Sequence, residues 1–124
     1  RPLPATGPLV AFLGDDLTGA SAAMEALAFA GLETVLFLEQ PDAARLAQFP
    51  GARGIGVASL ARSKPPEWMD AHLPAAFRLL AGTGAPVVHY KLCSTFDSAP
   101  HVGSIGRAAE VAAAIFPGWF PMVV

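Results

Sequence analysis

Short apolar runs alternate along this chain with segments of helical period. Leu9-Val10-Ala11-Phe12-Leu13 reads as a strand buried on both faces. Gly14-Asp15-Asp16-Leu17 follows, then a helix over about Thr18 to Ala30. Thr18 suits its N-cap, Met24, Leu27 and Ala28 give it an apolar face, and Gly31 stands where a C-terminal glycine belongs. Thr34 to Leu38 is a second strand, and Pro41 opens a short helix running to about Phe49. Gly54 to Leu60 is a third strand, weakened by its glycines. Pro65 and Pro66 start a helix that runs to Leu80, with Trp68, Leu73, Phe77 and Leu80 on its apolar face and a kink expected at Pro74. Pro86 to Leu92 is a fourth strand; a polar loop, Ser94 to Ser104, leads to a helix over Ile105 to Ile115, and Phe120 to Val124 begins a fifth strand.

Strand–helix alternation of this kind predicts an α/β fold: a parallel sheet of about five strands with helices on both faces, in three Rossmann-like layers. Ligands of such sheets gather at the carboxyl ends of the strands. Val124 falls inside an apolar strand with no helix closing it, which points to a truncated domain. An unfinished sheet edge would promote pairing between chains, so a homodimer is one expectation.

Composition narrows the class. The chain has 124 residues, the size of one domain, and is 53% hydrophobic and 15% charged, against about 25% charged on average. That composition supports a buried core and argues against disorder. The net charge is -2 and no basic stretch accumulates, so nucleic acid is not an expected partner. No apolar run approaches the ~20 residues of a membrane span. Cys93 is the one cysteine, which excludes an internal disulfide and fits a reducing compartment such as the cytoplasm. His72, His89 and His101 are scattered without metal-ligand spacing, so no metal site is expected. Arg1-Pro2-Leu3-Pro4 carries neither a signal-peptide pattern nor an initiator methionine, and further residues are expected before it.

Three polar sets fall at expected carboxyl ends of strands. In Asp15-Asp16-Leu17-Thr18-Gly19, adjacent carboxylates can accept bonds from sugar hydroxyls, hold Mg²⁺ or take a proton, while Thr18 and Gly19 offer N–H groups at a helix start. The same aspartates also serve simply as caps that favour a helix dipole. In Lys91-Leu92-Cys93-Ser94-Thr95-Phe96-Asp97-Ser98, a lysine can bind a carboxylate or phosphate, and hydroxyls with Asp97 can read a polyol; a solvated strand end is the plainer account. No histidine is placed nearby to activate Cys93, which reads as a small buried thiol. Gly103-Ser104-Ile105-Gly106-Arg107 opens the last helix, where glycines allow a ligand close to the backbone and Arg107 adds charge, although glycine turns before helices are common. Arg62 and Ser63, after the third strand, are a weaker candidate, since Arg62 reads equally well as a surface residue.

Several classes are excluded. There is no Gly-x-x-x-x-Gly-Lys-Ser/Thr phosphate loop. Gly51-Ala52-Arg53-Gly54-Ile55-Gly56 has the wrong glycine order for a dinucleotide fingerprint and precedes a strand. A haloacid-dehalogenase-type phosphatase needs aspartates two apart, where this chain has Asp15 and Leu17. A response-regulator receiver needs a phosphoacceptor aspartate after its third strand, where Ser59, Leu60 and Ala61 stand.

Leu13-Gly14-Asp15-Asp16-Leu17-Thr18-Gly19-Ala20 resembles the opening Ala-Asp-Asp-Phe-Thr-Gly-Ala motif of the four-carbon acid-sugar kinases, with Gly14 and Leu17 in place of alanine and phenylalanine. Tyr90 to Ser98 resembles their second motif, in the Lys-x-Cys-Ser-Thr-Phe-Asp-Ser form of the branch acting on 3-oxo-tetronate-like substrates. Gly103-Ser104-Ile105-Gly106 is similar to the Gly-x-Ile-Gly that follows, and Arg62-Ser63 to an arginine–serine element after the third strand. The Leu-Arg-Gly-Asn continuation of threonate-type members is missing, which argues against threonate itself. The resemblance implies the substrate-binding amino-terminal domain of a two-domain kinase. ATP and Mg²⁺ would be bound mainly by a carboxyl-terminal domain absent from this chain, and this part alone would be inactive. It further implies that Asp15 and Asp16 bind hydroxyls, one of them orienting or deprotonating the attacking hydroxyl. Lys91 and Arg62 would neutralise the substrate carboxylate. Thr18, Gly19, Ser94, Thr95, Asp97, Ser98, Gly103, Ser104 and Gly106 would complete the pocket. A sugar-acid sensor without catalysis is the alternative.

Overall fold

The computed structural model describes residues 2–119, and the expected fifth strand at residues 120–124 lies outside them. Four strands form one parallel sheet: β1 (Val10–Gly14), β2 (Thr34–Phe37), β3 (Gly54–Ala58) and β4 (Val87–Lys91). The order across the sheet is β2-β3-β1-β4. The helices are α1 (Leu17–Phe29), α2 (Ala43–Leu46), α3 (Pro66–Gly82) and α4 (Ile105–Ile115), with a 3₁₀ turn at Ala61–Ser63.

Alternation along the strands sorts the side chains between two faces. Ala11, Leu13 and Val57 turn to one face, where they pack with Met69, Leu73, Phe77 and Leu80 of α3 and Ala108 of α4. Gly14 turns to the other, where a Cβ would come within 2.6 Å of the Ala20 Cβ of α1. Helices therefore cover both faces among the described residues. Phe12 is wholly buried on the α1 side, and its ring lies over the space that a side chain at Gly56 would need. Of the two glycines that weaken β3 as a strand in the sequence, Gly56 thus makes room for the Phe12 ring and Gly54 for the Thr34 side chain.

The differences from the sequence reading are local. Asp16, not Thr18, caps α1: its backbone is extended, its side chain accepts from the Gly19 N–H, and Thr18 is the second residue of the helix, exposed. The helix expected over Pro41 to Phe49 is a single turn, Ala43–Leu46, capped by Asp42; the Gln48 and Phe49 N–H groups bond the Arg45 and Leu46 carbonyls three residues back, and Pro50 follows, which disfavours helical backbone at the residue before it. Pro74 lies inside α3 without ending it; burial of Leu73, Ala76 and Phe77 on either side outweighs the one lost backbone bond.

The sheet order sets where the site must be. β1 is hydrogen-bonded to β3 on one side and β4 on the other, and Gly14 pairs in register with Ala58 and Lys91. Three strands therefore end side by side. The connections leaving them diverge, α1 to one face and α3 and α4 to the other, which opens a crevice beyond the strand ends.

Candidate functional site

The turn after β1 is bound to its neighbours through the backbone. The Asp15 N–H donates to the Lys91 carbonyl at 3.0 Å, and the Asp15 carbonyl accepts from the Arg62 N–H at 3.0 Å. The Ser59 N–H and hydroxyl both donate to the Gly14 carbonyl, at 3.0 and 2.7 Å. These bonds join the acidic turn, the end of β3 and the end of β4 into one rim. A cleft of about 450 Å³ opens there, lined by Asp15, Asp16, Leu17, Leu60, Arg62, Ser63, Asp97 and Val102.

The two aspartates stand in opposite environments. Asp15 is buried, 6% exposed, and its Oδ1 has no hydrogen-bond partner among the described residues. Burial pushes its carboxyl above the ordinary value; the Cys93 N–H counters this, the Asp16 charge adds to it, and Arg62 and Lys91 act against it. Asp16 loses some hydration too, which alone would raise its pKa. The Gly19 N–H at 2.7 Å, the Cys93 side chain and Arg62 outweigh that loss and hold it below the usual range. Gly19 is needed here, since a Cβ would stand 2.8 Å from Asp16 Oδ1.

Arg62 projects from the 3₁₀ turn and bridges two carboxylates. Its Nε and Nη2 donate to the two oxygens of Asp97, each at 3.1 Å, and Nη1 lies 3.4 Å from Asp16 Oδ2. Thr95 Oγ1 donates to Asp97 Oδ1 at 2.8 Å. These bonds from Arg62 and Thr95 lower the Asp97 pKa to about 2. Gly103, at φ 60°, packs against the Arg62 carbonyl where no Cβ fits, and its N–H donates to the Lys64 carbonyl at 2.9 Å.

The remaining sequence-predicted residues fall around this centre. Lys91 is half-buried beside Gly19, and its Nζ donates to the Leu92 carbonyl at 2.6 Å. Ser94 is exposed on the loop. Ser98 Oγ accepts from the Ile105 N–H at 2.9 Å, and Ser104 caps α4 by accepting from the Arg107 N–H at 3.1 Å. Thr18 and Gly106 are exposed on α1 and α4; like Gly19, Lys91, Ser94, Thr95, Ser98, Gly103 and Ser104, they are not among the residues lining the cleft. Arg107 turns away to pair with Asp70 of α3, at 2.6 and 2.8 Å, and with Glu110. The sequence reading missed Leu17, Leu60 and Val102, an apolar margin on a charged cleft, and Ser59, which ties β3 to β1. Position just beyond a strand was the one available signal for Leu60 and Ser59.

Against known proteins, a family model described as a sugar-binding N-terminal domain matches residues 10–124. A 3-oxo-isoapionate kinase of Paraburkholderia graminis is 50% identical over 119 residues, covering 95% of this chain and 25% of that protein. A 3-oxo-tetronate kinase of Methylobacterium radiotolerans is 39% identical over 98 residues, 79% of this chain and 22% of that protein. A 3-oxo-tetronate kinase of Cupriavidus necator is 34% identical over 103 residues, 83% of this chain and 24% of that protein. The chain spans about a quarter of the length of these relatives.

Proposed function

We proceed from the premise that this chain belongs to the family of sugar-binding N-terminal domains, and we propose that it is the substrate-binding part of an ATP-dependent kinase. The acceptor is the terminal hydroxyl of a four-carbon acid sugar, of the 3-oxo-tetronate kind or a related branched acid. The relatives' names supply that substrate class. One observation carries the reading: Asp15, a buried aspartate with a carboxylate oxygen that has no partner among the described residues, lines the same cleft as Arg62.

In this reading a sugar acid presents opposite ends to the two groups. Its hydroxyl end meets Asp15, whose raised pKa suits a group that accepts a proton from an attacking alcohol near neutral pH. Asp16 is committed to Gly19 and Arg62 and serves as a fixed negative charge. The substrate carboxylate lies toward Arg62, with Lys91 adding positive charge from behind the acidic turn. Ser94 stands on the exposed loop, where it can meet a hydroxyl as the cleft fills, while the Thr95 hydroxyl is committed to Asp97. Among the described residues, no group of three or more His, Cys, Asp or Glu side chains is placed to hold a metal ion. In this reading ATP and Mg²⁺ are bound mainly by a carboxyl-terminal domain outside this chain. What this chain contributes is positioning and charge, the main source of phosphoryl-transfer catalysis.

The test is ATP consumption by the complete reading frame with a panel of four-carbon acids, including 3-oxo-isoapionate and 3-oxo-tetronate. Acid-dependent phosphate transfer is the expected result. Tight acid binding with no ATP use would favour a non-catalytic sensor, and indifference to every acid would end the sugar-acid reading.

A further inference from the structure

We infer that Asp97 does not read substrate hydroxyls but is a positioning residue, which holds the Arg62 guanidinium with one donor edge presented to a ligand carboxylate. The inference rests on the acid-binding reading above and assigns a specific residue to it.

A guanidinium offers five N–H groups in a plane, arranged as two edges that each match a carboxylate. Asp97 occupies one edge fully: both of its oxygens accept, from Nε and from Nη2, at 3.1 Å each. A two-point contact of this kind fixes the plane as well as the position of the head. The edge formed by Nη1 and Nη2 is left, engaged only by the long 3.4 Å contact to Asp16. Arg62, Asp16 and Asp97 all line the cleft, and with Asp97 on the first edge this second edge is the one left for a carboxylate inside it.

Asp97 has about one of its four acceptor sites left for a sugar hydroxyl. Oδ1 already accepts from both Arg62 Nε and Thr95 Oγ1, and Oδ2 accepts from Arg62 Nη2. Ionised, as its low pKa keeps it, it cannot donate. Its loop is built to bring it back onto Arg62. Phe96 takes a left-handed conformation, φ 52°, and its N–H bonds the Cys93 carbonyl at 3.1 Å, which reverses the chain immediately before Asp97. The arginine's backbone is held independently, by Asp15 on one side and by contact with Gly103 on the other. Only the head of Arg62 therefore depends on Asp97. The pair is also exposed, with 57% of the Asp97 side chain accessible, so its removal should cost the fold little.

The experiment is calorimetric titration of the complete protein with whichever of 3-oxo-isoapionate and 3-oxo-tetronate it phosphorylates faster, and with the carboxamide of that acid. Asp97→Ala should weaken binding of the acid about tenfold, the scale of a hydrogen bond to a charged group, and leave binding of the carboxamide within about twofold. Asp97→Glu should recover part of the loss. Arg62→Ala combined with Asp97→Ala should bind the acid no more weakly than Arg62→Ala alone, because the guanidinium that Asp97 positions is already gone. Equal weakening of acid and carboxamide, or a double variant weaker than Arg62→Ala by the full Asp97 factor, would place Asp97 against the substrate itself and overturn the assignment. A wild-type protein that binds neither acid overturns both this inference and the reading beneath it; a wild-type protein that binds, with additive variants, overturns this inference alone.

Discussion

The turns after β1 and β4 meet at one rim, yet they are built by different means. The β1 turn is held by main-chain bonds to both neighbouring strands, its Asp15 is buried, and its glycines are packed against side chains and backbone. The loop after β4 is exposed from Ser94 to Ser98 and is shaped by side chains: Thr95 to Asp97, Asp97 to Arg62, Ser98 to the start of α4. Bonds of the first kind resist substitution and preorganise charge; bonds of the second kind adapt. On the proposed reading the rigid turn carries the proton chemistry, and the adaptable loop orients the Arg62 head that receives the carboxylate.

The largest test of that division is Asp15→Asn. It should lower turnover by roughly 10²–10⁴-fold, the usual span for a lost general base, and at the same time raise the melting temperature at neutral pH. The sign follows from linkage. A carboxyl whose folded pKa is raised stabilises the fold below the unfolded value, 3.8, and that contribution is lost as pH rises through the folded pKa. Asn removes the penalty, so the stability of the variant should fall less than that of the wild type between that value and neutrality. Asp16 shifts the other way: its contribution is present above 3.8 and lost as pH falls through its lowered pKa. Asp16→Asn keeps a good capping residue and should cost less turnover than Asp15→Asn. A greater loss at Asp16 would reverse the roles given to the two carboxylates.

The next test compares packing. Gly14→Ala places a Cβ 2.6 Å from the Ala20 Cβ and 2.8 Å from the Asp16 carbonyl oxygen, and overpacking of this sort costs about 1–3 kcal/mol. Asp16→Ala removes the α1 cap and should cost about 1 kcal/mol. Chemical denaturation of the two variants checks both. A neutral Gly14→Ala would mean that the β1 turn is looser than its contacts indicate.

The sequence made some of this legible and hid the rest for identifiable reasons. β1 stands out because burial on both faces gives a near-continuous apolar run, Val10 to Leu13; β4, at the sheet edge, shows a short apolar run although Val87 is exposed. The convergence of Asp15 and the Lys91 segment follows from their places after strands, but the pairing order β2-β3-β1-β4 does not. Arg62 reads as an ordinary surface residue until that order sets it beside Asp16 and Asp97, a partner 35 residues away. Arg107 fails in the opposite direction: placed in the sequence next to a glycine turn, it is drawn off by Asp70 on the helix packed beside it. Thr18 and Asp16 are both good capping residues, and local pattern cannot choose between them; the bond from the Gly19 N–H to Asp16 does.

The smallest expected effect falls at Gly106, where resemblance places a pocket residue and the structure an exposed position on α4. A Cβ there would meet nothing nearer than Ser104 Oγ at 3.9 Å. Gly106→Ala should therefore stabilise the helix, by at most about 0.5–1 kcal/mol, and leave acid binding and turnover unchanged. Gly103→Ala, only three residues earlier, should do the opposite, because φ 60° and the Arg62 carbonyl both exclude a side chain. If Gly106→Ala weakened acid binding instead, the start of α4 would belong to the substrate cleft, and the loop after β4 would contribute more of the pocket than its bonds with Arg62 alone.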